Sequence, residues 1–340
     1  MVRPATPLGP VGLVLPTFPQ YLQHSWSGVS PIGRTNGTTS AAGSGDGPGD
    51  VDPLTELAET CRTAEALGVD ALWATDHLFW HGPAIECMTA LTVAATATRR
   101  ATLGTCVIQL PLRQAPSVAK QAASLQSLTQ GRIVLGVGVG SHAGEYEVSG
   151  IDYATRGRQL DEGINQLRAS WGSGAGVHVG DITGSSVDRY RQLPAPQSVP
   201  IWVGGSSEVA LRRAASSADG WIPMLLAPEE YRAALARLAK ELERADRPDD
   251  AVTRSVVLFA AVDDDRDKGL SQGTEWMSSL YGIPAKAFLR HLVAGSAESV
   301  ARTVAAYREA GAEHVVLYIT HDKPLPQVDR LMEALARSTA

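Results

Sequence analysis

Short apolar, β-branched runs alternate along this chain with longer stretches in which apolar residues recur every three or four positions. The first rhythm predicts buried strands, the second amphipathic helices. Eight strands are expected: Val11–Leu15, Val69–Ala74, Thr102–Leu110, Arg132–Val137, Pro200–Val203, Asp219–Ile222, Arg254–Val262 and His314–Ile319. After the first of them, Leu54, Leu57, Cys61, Ala64 and Leu67 share one helical face. Asp52 is placed to cap that helix, Pro53 to begin it and Gly68 to stop it. Val300, Val304 and Tyr307 form a similar stripe between Ser296 and Gly311. Strands followed by helices imply parallel strands joined by right-handed crossovers. Eight such units close without sheet edges, so the expected fold is α/β, a (β/α)8 TIM barrel. An open doubly wound sheet is the alternative.

Three segments interrupt the rhythm and place insertions after strands 1, 4 and 7. His24–Asp50 is rich in Gly, Ser and Thr and is expected to be a flexible insertion; Gly172–Ser198 holds a short alternating stretch before Pro194 and Pro196. Asp264–Gly295 is expected to be a long connection carrying Trp276, Tyr281 and Pro284. In a β/α barrel the site lies where strands end, so the first and third segments are placed to shape or cover it. No repeat and no second domain is visible; residues 1–340 are expected to form a single barrel domain.

Composition narrows the function classes. A chain of 340 residues suits one barrel with insertions, and 44% apolar with 19% charged residues suits a packed core. The net charge is −6 and no Lys/Arg run occurs, which argues against nucleic acid or an anionic membrane as partner. No apolar run approaches the roughly 20 residues of a membrane span. Residues 1–16 do not follow the order of a secretion signal, so a cytoplasmic protein is expected. Cys61, Cys87 and Cys106 fit no zinc or redox spacing and are expected to be reduced and packed. No His/Asp/Glu set has metal-ligand spacing, so no metal is expected.

Three places carry chemistry. Asp76 and His77 end the second strand, which puts a carboxylate and an imidazole at the catalytic rim. Gly136-Val137-Gly138-Val139-Gly140-Ser141 leaves the fourth strand. Gly138 to Ala143 formally reads G-x-G-x-x-A, but no clean helix is expected to open on it. Close approach of a flat ring or phosphate to bare backbone is therefore the better reading. Gly204-Gly205-Ser206-Ser207 ends the fifth strand and opens a helix over Glu208–Ser216, a candidate phosphate turn. His142, Glu145 and Tyr146 trail the glycine loop and could face the same site. His24, Trp80, His81 and Arg113 are rim candidates by position.

Taken together, these segments resemble the luciferase-like monooxygenase superfamily, especially its actinobacterial members that use coenzyme F420. The landmarks run in family order over Val11 to Leu335. They are Asp76-His77, Gly104-Thr105-Cys106-Val107, Gly131 to Gly138, Pro200 to Ser206, Ala218 to Trp221, and Gly295 to Val300 before Ala310 to Val315. The resemblance implies that His77 is the active-site histidine beside the flavin ring and that Asp76 contacts the deazaflavin. It implies a non-prolyl cis peptide at Cys106-Val107, bulging against the back of the ring. It further implies Gly138, Val139, Gly140 and Ser141 near the cofactor tail, Gly204, Gly205 and Ser206 at its phosphate, and a homodimer. Two departures stand out. Val139 replaces the arginine that holds flavin phosphate in the luciferase α-subunit type, and Ser141 replaces the glutamate of the sugar-phosphate dehydrogenases.

The resemblance thus implies an F420-dependent oxidoreductase that passes hydride between the deazaflavin and a small organic substrate. The alternative is a monooxygenase using reduced FMN and oxygen. A barrel that binds without a cofactor is the reading from another class.

Overall fold

The computed structural model describes residues 10–18, 52–80, 82–171, 194 and 199–338. The expected features of His24–Asp50 and of nearly all of Gly172–Ser198, with His24 and His81, lie outside them.

The barrel is built from β1 (Val11–Val14), β2 (Ala71–Ala74), β3 (Thr102–Thr105) with β4 (Ile108–Gln109), β5 (Ile133–Gly138), β6 (Ile201–Gly204), β7 (Gly220–Ile222), β8 (Thr253–Val262) and β10 (His314–Ile319). All pairings are parallel, and β10 pairs with both β8 and β1, which closes the ring. The alternative of an open sheet is therefore excluded. Two differences from the expected strands matter. The run Thr102–Leu110 divides into two at a cis peptide between Cys106 and Val107, where the resemblance placed it. Asp264–Gly295 is no plain connection: it holds a helix and a ninth ladder position, β9 (Leu292–Gly295), parallel to β8 from Phe259 to Val262.

Helices surround the strands for the reasons their ends suggest. In α1 (Pro53–Ala66), the Asp52 carboxylate accepts from Thr55 N at 3.0 Å, Pro53 stands in the first turn, and Gly68 takes φ +89° past the end. α2 (Cys87–Ala97) and α3 (Ala115–Leu128) flank β3 and β4; α4 (Ala143–Val148) and α5 (Arg156–Ser170) follow β5. α6 (Glu208–Ser217) starts at Ser207, whose hydroxyl accepts from Ala210 N. α7 (Pro228–Arg244), α8 (Arg266–Tyr281), α9 (Ala297–Glu309) and α10 (Leu325–Ser338) complete the described set. Ser296 caps α9 and Gly311 follows it at φ +110°, as expected.

The core has two compartments. Outward-facing strand residues such as Leu13, Leu72, Leu103, Leu135, Val203 and Leu317 pack under the helices. Inward-facing residues fill the barrel, where Trp73 and Trp202 lie 5.0 Å apart and Trp73 Nε1 donates to His314 Nε2 at 3.1 Å. The Trp73 indole lies over the neighbouring strands because Gly12 and Gly104 carry no Cβ, and the Trp202 indole because Gly220 carries none; a Cβ at Gly12 would stand 2.5 Å from the Trp73 nitrogen. This end of the barrel is thus sealed, and the opposite, carboxyl end is left for a site. No described helix is long and apolar enough to cross a membrane.

Candidate active site

A cavity of about 290 Å³ opens at the carboxyl ends of the strands. Its lining joins Asp76 and His77 after β2, Cys106 and Val107 between β3 and β4, Gly138 to Ser141 after β5, and Gly204 and Gly205 after β6. Of the expected catalytic and cofactor-binding residues, all but Ser206 therefore meet at one mouth; the further candidates Trp80, Arg113, His142, Glu145 and Tyr146 are not among the lining residues. Residues remote in the chain are brought together because each follows a barrel strand.

His77 is held from behind. Glu145, on α4, has its side chain fully buried and accepts four hydrogen bonds. Oε1 accepts from Leu78 N at 2.7 Å and from Phe79 N at 3.2 Å. Oε2 accepts from His77 Nδ1 at 2.9 Å and from Gln109 Nε2 at 3.0 Å. Burial pushes this carboxyl up, but the bonds from His77 and Gln109, with those from the backbone, outweigh it and hold it down at about 2. A carboxylate only accepts, so Nδ1 must carry the imidazole proton. Nε2 then points its lone pair away from Glu145, and His77 is one of the residues that border the cavity. Trp80 stacks on the imidazole, with centroids 3.6 Å apart and planes 27° apart.

Asp76 is also buried and is held by its own set of bonds. Its Oδ2 accepts from Gln109 N at 3.0 Å, and its Oδ1 pairs with Arg113. Arg113 also lies 3.5 Å from Glu86. Asp76, Glu86 and Cys87 are close enough to suggest metal ligands, but the guanidinium occupies the cationic position between the two carboxylates. Burial acts against the Arg113 charge, and Asp76, with Cys87 and Glu86, together more than restore it, so this arginine is held above its ordinary value. Gln109 links the two clusters. One amide hydrogen goes to Asp76 O at 3.1 Å and the other to Glu145. Its Oε1 is buried, without a hydrogen-bond partner among the described residues, against Gly140.

The glycines do two jobs. Gly140 and Gly205 adopt φ +66° and +100°, which favour glycine. Gly138 and Gly204 instead make room for Val107: a Cβ at Gly138 would fall 2.6 Å from one Val107 methyl, and one at Gly204 3.1 Å from the other. The reading of bare backbone is corrected here. At these two positions the valine side chain, seated on the cis peptide, fills the space beside the glycines. The result is a smooth apolar floor flanked by glycine turns. A short helix, α4, does open at Ala143 directly after this loop, contrary to expectation, with His142 at its cap position. Tyr146 on α4 donates to Val139 O and Tyr153 donates to Ser141 O at 3.2 Å, so the loop is fixed from outside.

The sequence marks Glu145, Trp80 and Arg113 by position alone, without roles, and Gln109 and Tyr318 join the site only in the fold. A glutamine in the apolar run Ile108-Gln109-Leu110 was the available signal.

A model of the luciferase-like monooxygenase family matches residues 31–289. The chain belongs to this family. An uncharacterized protein of Mycobacterium tuberculosis is 36% identical over 171 residues, which are 48% of this chain and 57% of that relative's length. An F420-dependent glucose-6-phosphate dehydrogenase of Amycolatopsis mediterranei is 30% identical over 231 residues, covering 65% of this chain and 69% of the relative. The fold is that of a solved F420-dependent secondary alcohol dehydrogenase in complex with an F420-acetone adduct. The TM-score is 0.74 at 17% identity, over 96% of this chain and 98% of that one. Members of the family are enzymes, and this chain carries its barrel.

Proposed function

We propose that this enzyme is an F420-dependent oxidoreductase acting on a small organic substrate. The observation that carries the reading is the juxtaposition of an oriented imidazole, His77, with the Val107 floor in one cavity. The group fits the residues present. A planar tricycle needs a flat apolar support, and Val107 between Gly138 and Gly204 supplies one. The Gly138–Ser141 loop and the Gly204–Gly205 turn at the amino end of α6 would hold the tail and its phosphate. Bound there, the deazaflavin supplies hydride chemistry. The relatives that use F420 support the same choice, as does Val139 where an arginine would hold flavin phosphate.

The protein's own part is positioning and proton handling. Glu145 fixes the His77 tautomer, so Nε2 can take a proton from a substrate hydroxyl or, once protonated, return it to a carbonyl oxygen. Trp80 prevents the ring from swinging. The apolar walls keep water from the reacting atoms.

Cofactor binding tests the reading. Titration of the purified protein with F420 and FMN, each oxidised and reduced, should give F420 binding at least tenfold tighter. Tighter binding of reduced FMN would overturn it in favour of the oxygen-using monooxygenase.

A further inference from the structure

The barrel order assigns the two sides of the cavity to different tasks. Counting β3 and β4 as one position, the order around the ring is β1, β2, β3/β4, β5, β6, β7, β8, β10. The glycine turns after β5 and β6 therefore stand across the mouth from β10 and β1. Those opposite strands bring Tyr318 and Phe18, and the end of α8 adds Tyr281 to the same lining. This far wall is aromatic in depth. Phe18 lies 5.8 Å from the His77 ring, Tyr281 meets Trp80 edge-on at 6.0 Å, and Tyr318 stacks on Phe259 at 5.0 Å. Ile222, Met224 and Val257 continue it as aliphatic surface.

From this we infer that the substrate is an uncharged alcohol or carbonyl compound with an apolar, ring-sized body, bound between the His77 imidazole and the Phe18–Tyr281–Tyr318 wall. The inference rests on the proposed cofactor reading, because a ring lying on Val107 leaves only the opposite wall for substrate. The substrate oxygen meets His77 Nε2, the imidazole nitrogen that the Glu145 bond does not take, on a ring that borders the cavity. Its carbon body meets aromatic faces, which favour flat or alicyclic groups.

Charge points the same way. A phosphate monoester brings a charge of roughly −1.5 to −2 at neutral pH, which a low-dielectric cavity accepts only beside cations or a helix amino end, and the one here is taken by the proposed cofactor tail. Arg113, the cation nearest to Asp76 and His77, is already engaged by Asp76 and Glu86. Among the described lining residues there is no Lys or Arg to receive the anion, and the acidic side chain present, Asp76, already has Arg113 as its partner.

Binding, read without turnover, tests this. The protein, alone and saturated with oxidised F420, would be titrated by calorimetry with cyclohexanone and acetophenone, which oxidised F420 cannot reduce, and with glucose 6-phosphate and inorganic phosphate. The expected result is binding of both neutral probes to the F420 complex at least tenfold tighter than of glucose 6-phosphate. Met224→Lys should weaken the neutral probes at least tenfold while F420 binding is retained. Tighter binding of glucose 6-phosphate, or neutral probes unaffected by both Met224→Lys and Tyr318→Ala, would overturn the assignment. Failure of F420 itself to bind would instead sink the cofactor reading, so the two failures are told apart.

Discussion

His77 Nδ1 donates to Glu145 Oε2 across 2.9 Å, and that bond joins the end of β2 to the helix after β5. Sixty-eight residues separate the partners in the chain. The contact explains why a carboxylate is retained where its charge costs desolvation: four donors converge on it. In Glu145→Gln one oxygen becomes an amide that can only donate, so two of those donors lose their acceptor. Each buried unsatisfied group costs about 1–3 kcal/mol. Turnover should fall at least tenfold with F420 affinity changed less than twofold, as seen by steady-state kinetics beside cofactor titration.

The same carboxyl makes stability depend on acid. Its folded value, about 2, lies below the ordinary 4.5, so its contribution is present above about pH 4.5 and is lost as pH falls through 2. The contribution is about 3 kcal/mol. Urea unfolding from pH 7 to pH 3 should show a loss of stability in the wild type that Glu145→Gln largely lacks. Parallel losses in both proteins would count against the assignment.

Removing the cation from the second cluster should be costlier still. Asp76 is buried and Arg113 is its ion-pair partner, so Arg113→Ala strands a charge in the cavity wall. Breaking such a pair from one side costs about 3–5 kcal/mol. Chemical denaturation of Arg113→Ala should show this, and Asp76→Asn in the same background should recover part of it.

The floor can be tested by one methyl group. Gly138→Ala places a carbon 2.6 Å from a Val107 methyl, so the valine must move. F420 affinity should drop at least tenfold. Gly82→Ala, whose new methyl would meet nothing within 4 Å, should bind as the wild type does.

His77→Ala removes the proton carrier and should reduce turnover by about 10²–10⁴-fold. Unchanged turnover on an identified substrate would argue against the role given to the imidazole.

Much of the barrel was legible because its strands are made of large apolar residues bounded by glycine and proline. β10, for instance, was expected over His314–Ile319 and is found there. What escaped reading lacked that signal. The buried positions of α8 are Gly269, Gly273, Thr274 and Met277, so small side chains replace the bulky stripe that marks a helix. β9, Leu292-Val293-Ala294-Gly295, is only four residues long and ends in a glycine at φ +149°. At the site, Asp76, His77 and the glycine turns followed from strand ends. The bond partners of His77 did not, because Gln109 and Glu145 become its neighbours only when β2, β4 and β5 lie side by side. Val107 filling the space beside two glycines was likewise a property of packing that no single segment records.

The ninth ladder position has a consequence for how this scaffold can change. Tyr281 rides on a helix strung between β8 and β9, an appended loop of fold that the closed ring does not need. The support proposed for the redox ring comes from the ends of β3 to β6 instead. Ceiling and floor are thus separate building lots, and a new clientele could be recruited by rebuilding one without disturbing the other.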